Sequence, residues 1–224
     1  MHETILGEIC TFCCEVEGGD DSNLFYDLGL AHTRADYVLL ESEHFVVMPC
    51  IGALTDWYLL IVSKRHTLSV GWLDEAEHAD LRELIPQVTG LIRERSGLES
   101  LIFEHGSLDF RDKGGACYDH THIHVVATAR DHQRFLDHIP APVTMRPCAD
   151  WISASRRLVE EEQRSYLVLG TPDQDWIGTA TGAPSQFFRR CLATWMGAEE
   201  GEWDWLTFPQ TDRVHRMSMN LTTR

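Results

Sequence analysis

An α+β fold is predicted by three observations: β-branched runs precede a single long helical period, further extended runs follow it, and one of these carries histidines at alternating positions. Strand, strand, strand, helix, strand, strand is the order of an antiparallel sheet with a helix laid on one face. With 43% hydrophobic and 24% charged residues over 224 positions, the chain has material for one good core, or for one domain with a substantial extension.

Residues 37–48 carry two β-branched or aromatic runs around the polar break Glu41-Ser-Glu43, as expected of a hairpin or of consecutive strands, and Tyr58 to Val62 is a third run. From Asp74 to Ser96, Leu81, Leu84, Ile85, Val88, Leu91 and Ile92 recur at helical spacing, with acidic residues at the start and Gly97 past the end. Pro86 lies inside that helix and is expected to kink or divide it. Leu101-Ile-Phe103 leads into Glu104-His-Gly106, and a polar loop precedes the histidine strand, which runs to about Thr128. Ile139-Pro-Ala-Pro142 marks a boundary, dividing the chain into a catalytic domain at 1–142 and a C-terminal extension at 143–224 packed on it. In the extension, Trp151 to Gln163 reads as helix and Ser165 to Leu169 as strand. Phe187, Phe188, Cys191, Leu192, Trp195 and Met196 form a helical stripe ending at Gly197, and a last amphipathic stretch starts at Asp212.

The formal charge of −16 argues against coating a nucleic-acid polymer, whose phosphates are met by clustered Lys and Arg, yet leaves room for a small nucleotide at a locally positive site. No apolar run approaches a membrane span, and the Met1-His-Glu-Thr start lacks the basic residues of a signal peptide, so a cytoplasmic address is the default expectation. Seven unevenly spaced cysteines then read as free thiols plus a candidate metal site rather than a disulfide framework.

His120-Thr-His-Ile-His124 is the most informative stretch. On a strand, its three imidazoles fall on one face. Such a row can attack phosphorus, hold a metal or pass a proton near neutral pH. The motif resembles the histidine-triad (HIT) signature His-φ-His-φ-His-φ-φ, with φ apolar, met from His120 to Val126 except at Thr121. The Cys10-Thr-Phe-Cys13 opening, the Leu59-Leu-Ile-Val-Ser-Lys-Arg-His66 stretch and the Gly114-Gly115 turn fall in that family's usual order, over about the first 130 residues. The extension resembles the C-terminal part of a longer bacterial subgroup.

The resemblance implies a HIT-like antiparallel sheet and His122 as nucleophile, attacking an α-phosphorus to form a nucleotidyl-histidine that water later hydrolyses. It places His124 against the phosphate oxygens. It also implies a closed structural zinc site of Cys10, Cys13, His66 and His120, in which Cys14 is an alternative to Cys13. A redox dithiol and two unrelated buried cysteines are the other readings of the Cys-x-x-Cys. A homodimer joined through a strand edge and the helix is implied as well, with the extension covering either that edge or the active-site mouth.

Three positions depart from the family pattern. Gly115-Ala116-Cys117 stands where a polar pair assists the phosphate and leaving group, and the thiol of Cys117 is a weak donor there. Cys50 occupies the place, sixteen residues before His66, of an acidic residue that binds ribose hydroxyls; Asp56 is a nearby substitute or an exposed turn residue. Glu104 and His105 replace an Asn-rich turn and are candidates for orienting substrate, against the plain reading of a polar turn closed by Gly106. Gly115 and Lys113 are further candidates for holding substrate, with Arg111 beside them, although loop charges are commonly solvated. Arg189 and Arg190 can clamp a phosphate, but on an amphipathic helix a solvated face is the default. Among the tryptophans, Trp195 reads as core, while Trp203 and Trp205 either stack a base or fill core.

The expected function is cleavage of a nucleotide P–X bond, a phosphoanhydride or phosphoramidate, with water as acceptor. Two rivals stand beside it: a phosphorylase that uses inorganic phosphate instead, and a zinc-stabilised nucleotide-binding or scaffold protein without turnover.

Overall fold

The structure is a computed structural model and describes residues 10–222; the Met1-His-Glu-Thr start lies outside the described residues. Two short helices open it, α1 (Thr11–Glu17) and α2 (Leu24–Asp27), followed by strands β1 (Leu40–Glu41), β2 (Phe45–Pro49) and β3 (Tyr58–Ser63). Helix α3 (Glu75–Ser96), β4 (Ser100–Gly106) and β5 (His122–Ala127) come next. The remaining elements are β6 (Met145–Cys148), α4 (Trp151–Glu160), β7 (Tyr166–Gly170), β8 (Asp175–Thr179), α5 (Phe187–Met196) and α6 (Thr211–Thr222). The fold is α+β, as the sequence predicts.

One eight-stranded sheet in the order β1-β2-β3-β5-β4-β7-β8-β6 joins all strands, and every neighbouring pair is antiparallel. The extension therefore continues the sheet instead of forming a second layer. β7 takes the edge of β4, with Phe103 opposite Leu169 and His105 opposite Leu167.

Residues directly opposite in a ladder share a face, so the register assigns the two sides. Leu60 and Phe103 both lie opposite His124, and Val62 opposite His122, which puts these side chains on one face. That face is covered by Phe12 and Val16 of α1, Phe25 of α2, and Phe187, Phe188 and Leu192 of α5. On the other face Val47, Ile61, Ile123, Val125 and Val168 meet Leu81, Leu84, Val88 and Ile92 of α3 and Trp151, Ile152, Leu158 and Val159 of α4. Period-two alternation in the strands and the 3.6-residue period in α3 thus meet in one apolar layer.

Helix α3 starts on a reciprocal cap: Asp74 Oδ1 accepts from the Glu77 amide at 2.9 Å while Glu77 Oε2 accepts from the Asp74 amide at 2.7 Å. Pro86 does not divide it. The ring is on the exposed side, where the carbonyl left without a donor reaches water. The expected helix over 151–163 stops at Glu160, because Gln163 adopts a positive φ of 51° and turns the chain toward β7. Strands β6 and β8 carry no clear alternation of their own; they are held by pairing with each other and with β7. Among the described residues no helix is long and apolar enough to cross a membrane.

Candidate active site

Ser63, at the end of β3, and the segment before β5 bring distant parts of the chain together. The ligand atoms of Cys10, Cys13, His66 and His120 all lie within 4.8 Å of one another. Cys13 Sγ is 3.3 Å from His66 Nδ1 and 3.5 Å from His120 Nδ1, and Cys10 Sγ is 3.4 Å from His120 Nδ1. His120 Nε2 donates to the Ser63 carbonyl at 2.7 Å, which leaves Nδ1 with its lone pair aimed at the two sulfurs. The facing Cys13 sulfur drives the Cys10 thiol down to about 2, while the thiol of Cys13 is held far above its ordinary range by Cys10. Two sulfurs and two imidazoles with no open position fit a structural zinc ion. Cys13, not Cys14, belongs to the group.

Each of the next two histidines has Nδ1 tied to a partner. His122 Nδ1 lies 2.7 Å from the His120 carbonyl. A carbonyl only accepts, so Nδ1 carries the proton and Nε2 keeps a lone pair. Burial holds this imidazole down to about 4, which leaves it neutral at pH 7. His124 Nδ1 lies 2.9 Å from Tyr58 Oη, and Arg189 Nη1 stands 3.4 Å from that same oxygen. Arginine can only donate, so the phenol oxygen accepts from Arg189 and its proton is available to His124 Nδ1, the arrangement that puts the His124 proton on Nε2. Burial raises the Tyr58 phenol well above its usual range and depresses His124 well below its own, keeping both neutral. The free Nε2 of His122 thus stands beside the His124 ring on one strand, the ring centres 5.0 Å apart.

These groups line one cavity together with Cys50, Cys117, Arg189 and Glu15. Its other walls are apolar and aromatic. The Phe12 ring lies 5.0 Å from His122 and 4.8 Å from Tyr118, and Tyr118 lies 5.3 Å from Trp205. Cys117 is at the cavity as expected, its thiol raised by burial. His105 is on the triad face, its ring 6.0 Å from His124, with Nε2 accepting from the Phe188 amide at 2.9 Å. Burial lowers it to about 3.

Glu104 is a correction. It alternates to the opposite face, where its carboxylate accepts from the Val70 amide at 2.7 Å and from Tyr166 Oη at 2.8 Å. It braces the sheet against the turn before α3 and does not reach the triad; burial raises it to about 7. Lys113 and Gly115 line a separate surface recess with Arg111, Ser165, Thr181 and Ser185. Lys113 pairs with Asp119 at 2.8 Å. Gly115, at φ +85°, offers its carbonyl to the Gln186 amide at 2.7 Å just before α5. Asp56 pairs with Arg216 of α6 at 2.8 Å.

Arg189 is the second correction. Instead of facing solvent it is 2% exposed, because the turn carrying Trp203 and Trp205 folds over the polar side of α5. Arg190 keeps the outer position, its guanidinium 3.4 Å from the Trp203 ring centre. Tyr58 and Glu15 went unread in the sequence. Tyr58 lies on a β-branched run where an aromatic reads as core, and Glu15 sits in a helix too short to show a period. Burial raises Glu15 to about 8.

No family model matches the chain, and no curated protein matches it. Histidine-triad proteins are among the solved structures to which it is similar. A hypothetical histidine triad nucleotide-binding protein from Sulfolobus tokodaii is 20% identical over 55% of this chain and 71% of its own, at a TM-score of 0.40. A HIT family hydrolase from Clostridium thermocellum is 20% identical over 55% and 92%, at 0.37. Yeast Ap4A phosphorylase in complex with AMP is 9% identical over 62% and 56%, at 0.38. These are partial likenesses.

Proposed function

We propose that the chain is a histidine-triad nucleotidyl hydrolase or transferase that cleaves a phosphoanhydride or phosphoramidate bond at the α-phosphate of a nucleotide. The observation that carries this reading is the His122 tautomer: Nδ1–H is tied to the His120 carbonyl at 2.7 Å, so the Nε2 lone pair is free in the cavity. In the first step Nε2 forms an N–P bond, the P–X bond breaks, and X leaves with its electron pair and takes a proton from water. Water then attacks phosphorus, the N–P pair returns to His122, and the nucleoside monophosphate is released. His124 Nε2–H donates to a phosphoryl oxygen in both steps. Cys117 takes the position of a leaving-group donor, weakly, and His105 buttresses His124.

Cys10, Cys13, His66 and His120 would hold zinc with no position left open for reaction, tying Cys10 and α1 to the strand that carries His122. Residues 1–142 carry the reacting groups, and 143–224 completes the sheet and the cavity wall. A second copy, which the family resemblance implies, would join through the free edges β1 or β6 or through a helix face, since β7 already occupies β4. The substrate is a small nucleotide or nucleotide conjugate.

The test is turnover of a panel of adenylyl and guanylyl phosphoramidates and dinucleoside polyphosphates by wild type and His122→Ala. The reading expects nucleoside monophosphate from wild type and a loss on the order of 10³-fold or more in the variant. Undiminished turnover by a folded His122→Ala protein refutes it. Nucleoside diphosphate formed only when inorganic phosphate is added transfers the assignment to a phosphorylase. The absence of a hydroxyl at Ala116 and Cys117 favours a second reading, nucleotide binding without turnover, which tight binding with no product would support.

A further inference from the structure

Arg189 is a buried cation whose contacts are all neutral. Nε donates to the Trp203 carbonyl at 2.9 Å and to Gln186 Oε1 at 3.2 Å, and Nη2 donates to the Gly52 carbonyl at 2.7 Å. These bonds stitch α5 to the turn after β2 and to the turn after α5 itself. They do not account for Nη1. That nitrogen has only long contacts, 3.4 Å to Tyr58 Oη and 3.7 Å to Cys50 Sγ. Arg189 lines the cavity together with Cys50, His122 and His124.

No carboxylate pairs with Arg189 among the described residues. Asp204 is kept one residue away, accepting at 3.3 Å from the Nε2 of Gln186, whose Oε1 faces Arg189. A guanidinium removed from water costs several kcal/mol unless an anion meets it. A structural tie alone would be met as well by an uncharged amide, without that cost. A cation held bare, with spare donors beside two histidines, is built for an anion that arrives with the ligand.

We infer that Arg189 is the anion receptor of the cavity: its Nη1 donors hold a phosphoryl oxygen of the bound substrate next to His124, so that the C-terminal extension supplies part of the binding site. This rests on the nucleotide reading above for the identity of the ligand, but not for the need of an anion.

The experiment compares the binding of AMP, adenosine and inorganic pyrophosphate to the full chain by calorimetry, in wild type, Arg189→Gln and Arg189→Lys. Wild type is expected to prefer AMP to adenosine by at least about tenfold. Arg189→Gln should reduce that preference to about twofold or less, leave adenosine binding in place and lose pyrophosphate binding. Arg189→Lys should restore part of it as a point charge. An Arg189→Gln protein that is folded by circular dichroism and keeps the AMP preference overturns the inference. If Arg189→Gln does not fold, the guanidinium nitrogen resonances of Arg189 in labelled wild type decide: a shift on adding AMP or pyrophosphate supports the inference, and none overturns it. If neither AMP nor adenosine binds, the nucleotide reading fails by itself; Arg189-dependent pyrophosphate binding still upholds the anion receptor, and its absence overturns that too.

Discussion

At the residue scale, three neighbouring imidazoles are buried in the neutral form, and this makes a pH prediction with a definite sign. His105 is lowered to about 3, His122 to about 4, and His124 well below its ordinary value, all chiefly by burial. In the unfolded chain each would titrate near its ordinary value of about 6.5. Between the folded and unfolded values the unfolded state binds more protons, so stability is full above about pH 6.5 and falls as the pH drops below it. The slope reaches about 1.4 kcal/mol per pH unit for each imidazole that stays neutral. Buried Glu15 and Glu104, raised to about 8 and about 7, act in the opposite sense over the same range, so the imidazole contribution is read by difference: between pH 7 and 5 the urea midpoint of His105→Asn should change less unfavourably than that of wild type. Parallel midpoint profiles for the two proteins would contradict the buried neutral assignment of His105. His122 and His124 were legible because alternation within one strand is local, whereas the Cys₂His₂ set was reached through the family resemblance, since Cys10 and His120 stand 110 positions apart. Tyr58 and Arg189 were not legible. Their contact spans 131 positions and depends on a turn that folds over α5, which no local pattern records. Glu104 and His105 show a subtler limit. Adjacent strand residues point to opposite faces, so only the register, Phe103 opposite His124, tells which of the two meets the triad.

At the element scale, Cys10 caps α1 and Cys13 lies inside it, yet the helix has only 7 residues, too few to be stable alone. Its place therefore depends on the Cys₂His₂ group and on the packing of Phe12 against His122. Cys13→Ser should lower bound zinc from about one equivalent to well under half and reduce the melting temperature by roughly 5–10 °C, read by elemental analysis and calorimetry on the same sample. An unchanged melting temperature in a zinc-free variant would show that α1 needs no metal. Strand β4 makes a second prediction. A Cβ at Gly106 would run into the Tyr166 ring, which is fixed by its bonds to Glu104 and to the Gly71 amide. Gly106→Ala should cost about 1–3 kcal/mol by overpacking, measured by urea unfolding. Strands β2, β3 and β5 and helix α3 were readable because alternation or helical period and burial agree in them. β6 and β8 were not, because their residues become strand only by pairing with β7.

At the scale of the whole molecule, the two segments divided at 142 share one sheet and one cavity. Phe187, Phe188, Leu192 and Trp195 are buried against the triad face, each contributing roughly 1.5–3 kcal/mol. β7 also covers the edge of β4. A chain ending at Pro142 would expose that edge together with Phe103 and His105, and should aggregate rather than fold as a monomer. Light scattering of the truncated protein checks this, and a soluble folded monomer would mean that the extension is dispensable for the sheet. The composition suggested an extension packed on a domain; continuity of the sheet could not be read, since pairing of β4 with β7 leaves no mark in either strand. All of this architecture converges on the free Nε2 of His122, which the account makes a nucleophile. The most direct measurement is rapid quenching of wild type mixed with an adenylyl phosphoramidate, under non-acidic conditions, followed by intact mass and peptide mapping. A transient mass increase of one adenylyl group, located on His122 and absent from His122→Ala, is expected. Product formed with no adduct at any time, or an adduct mapped to His105, His124 or a cysteine, would contradict it.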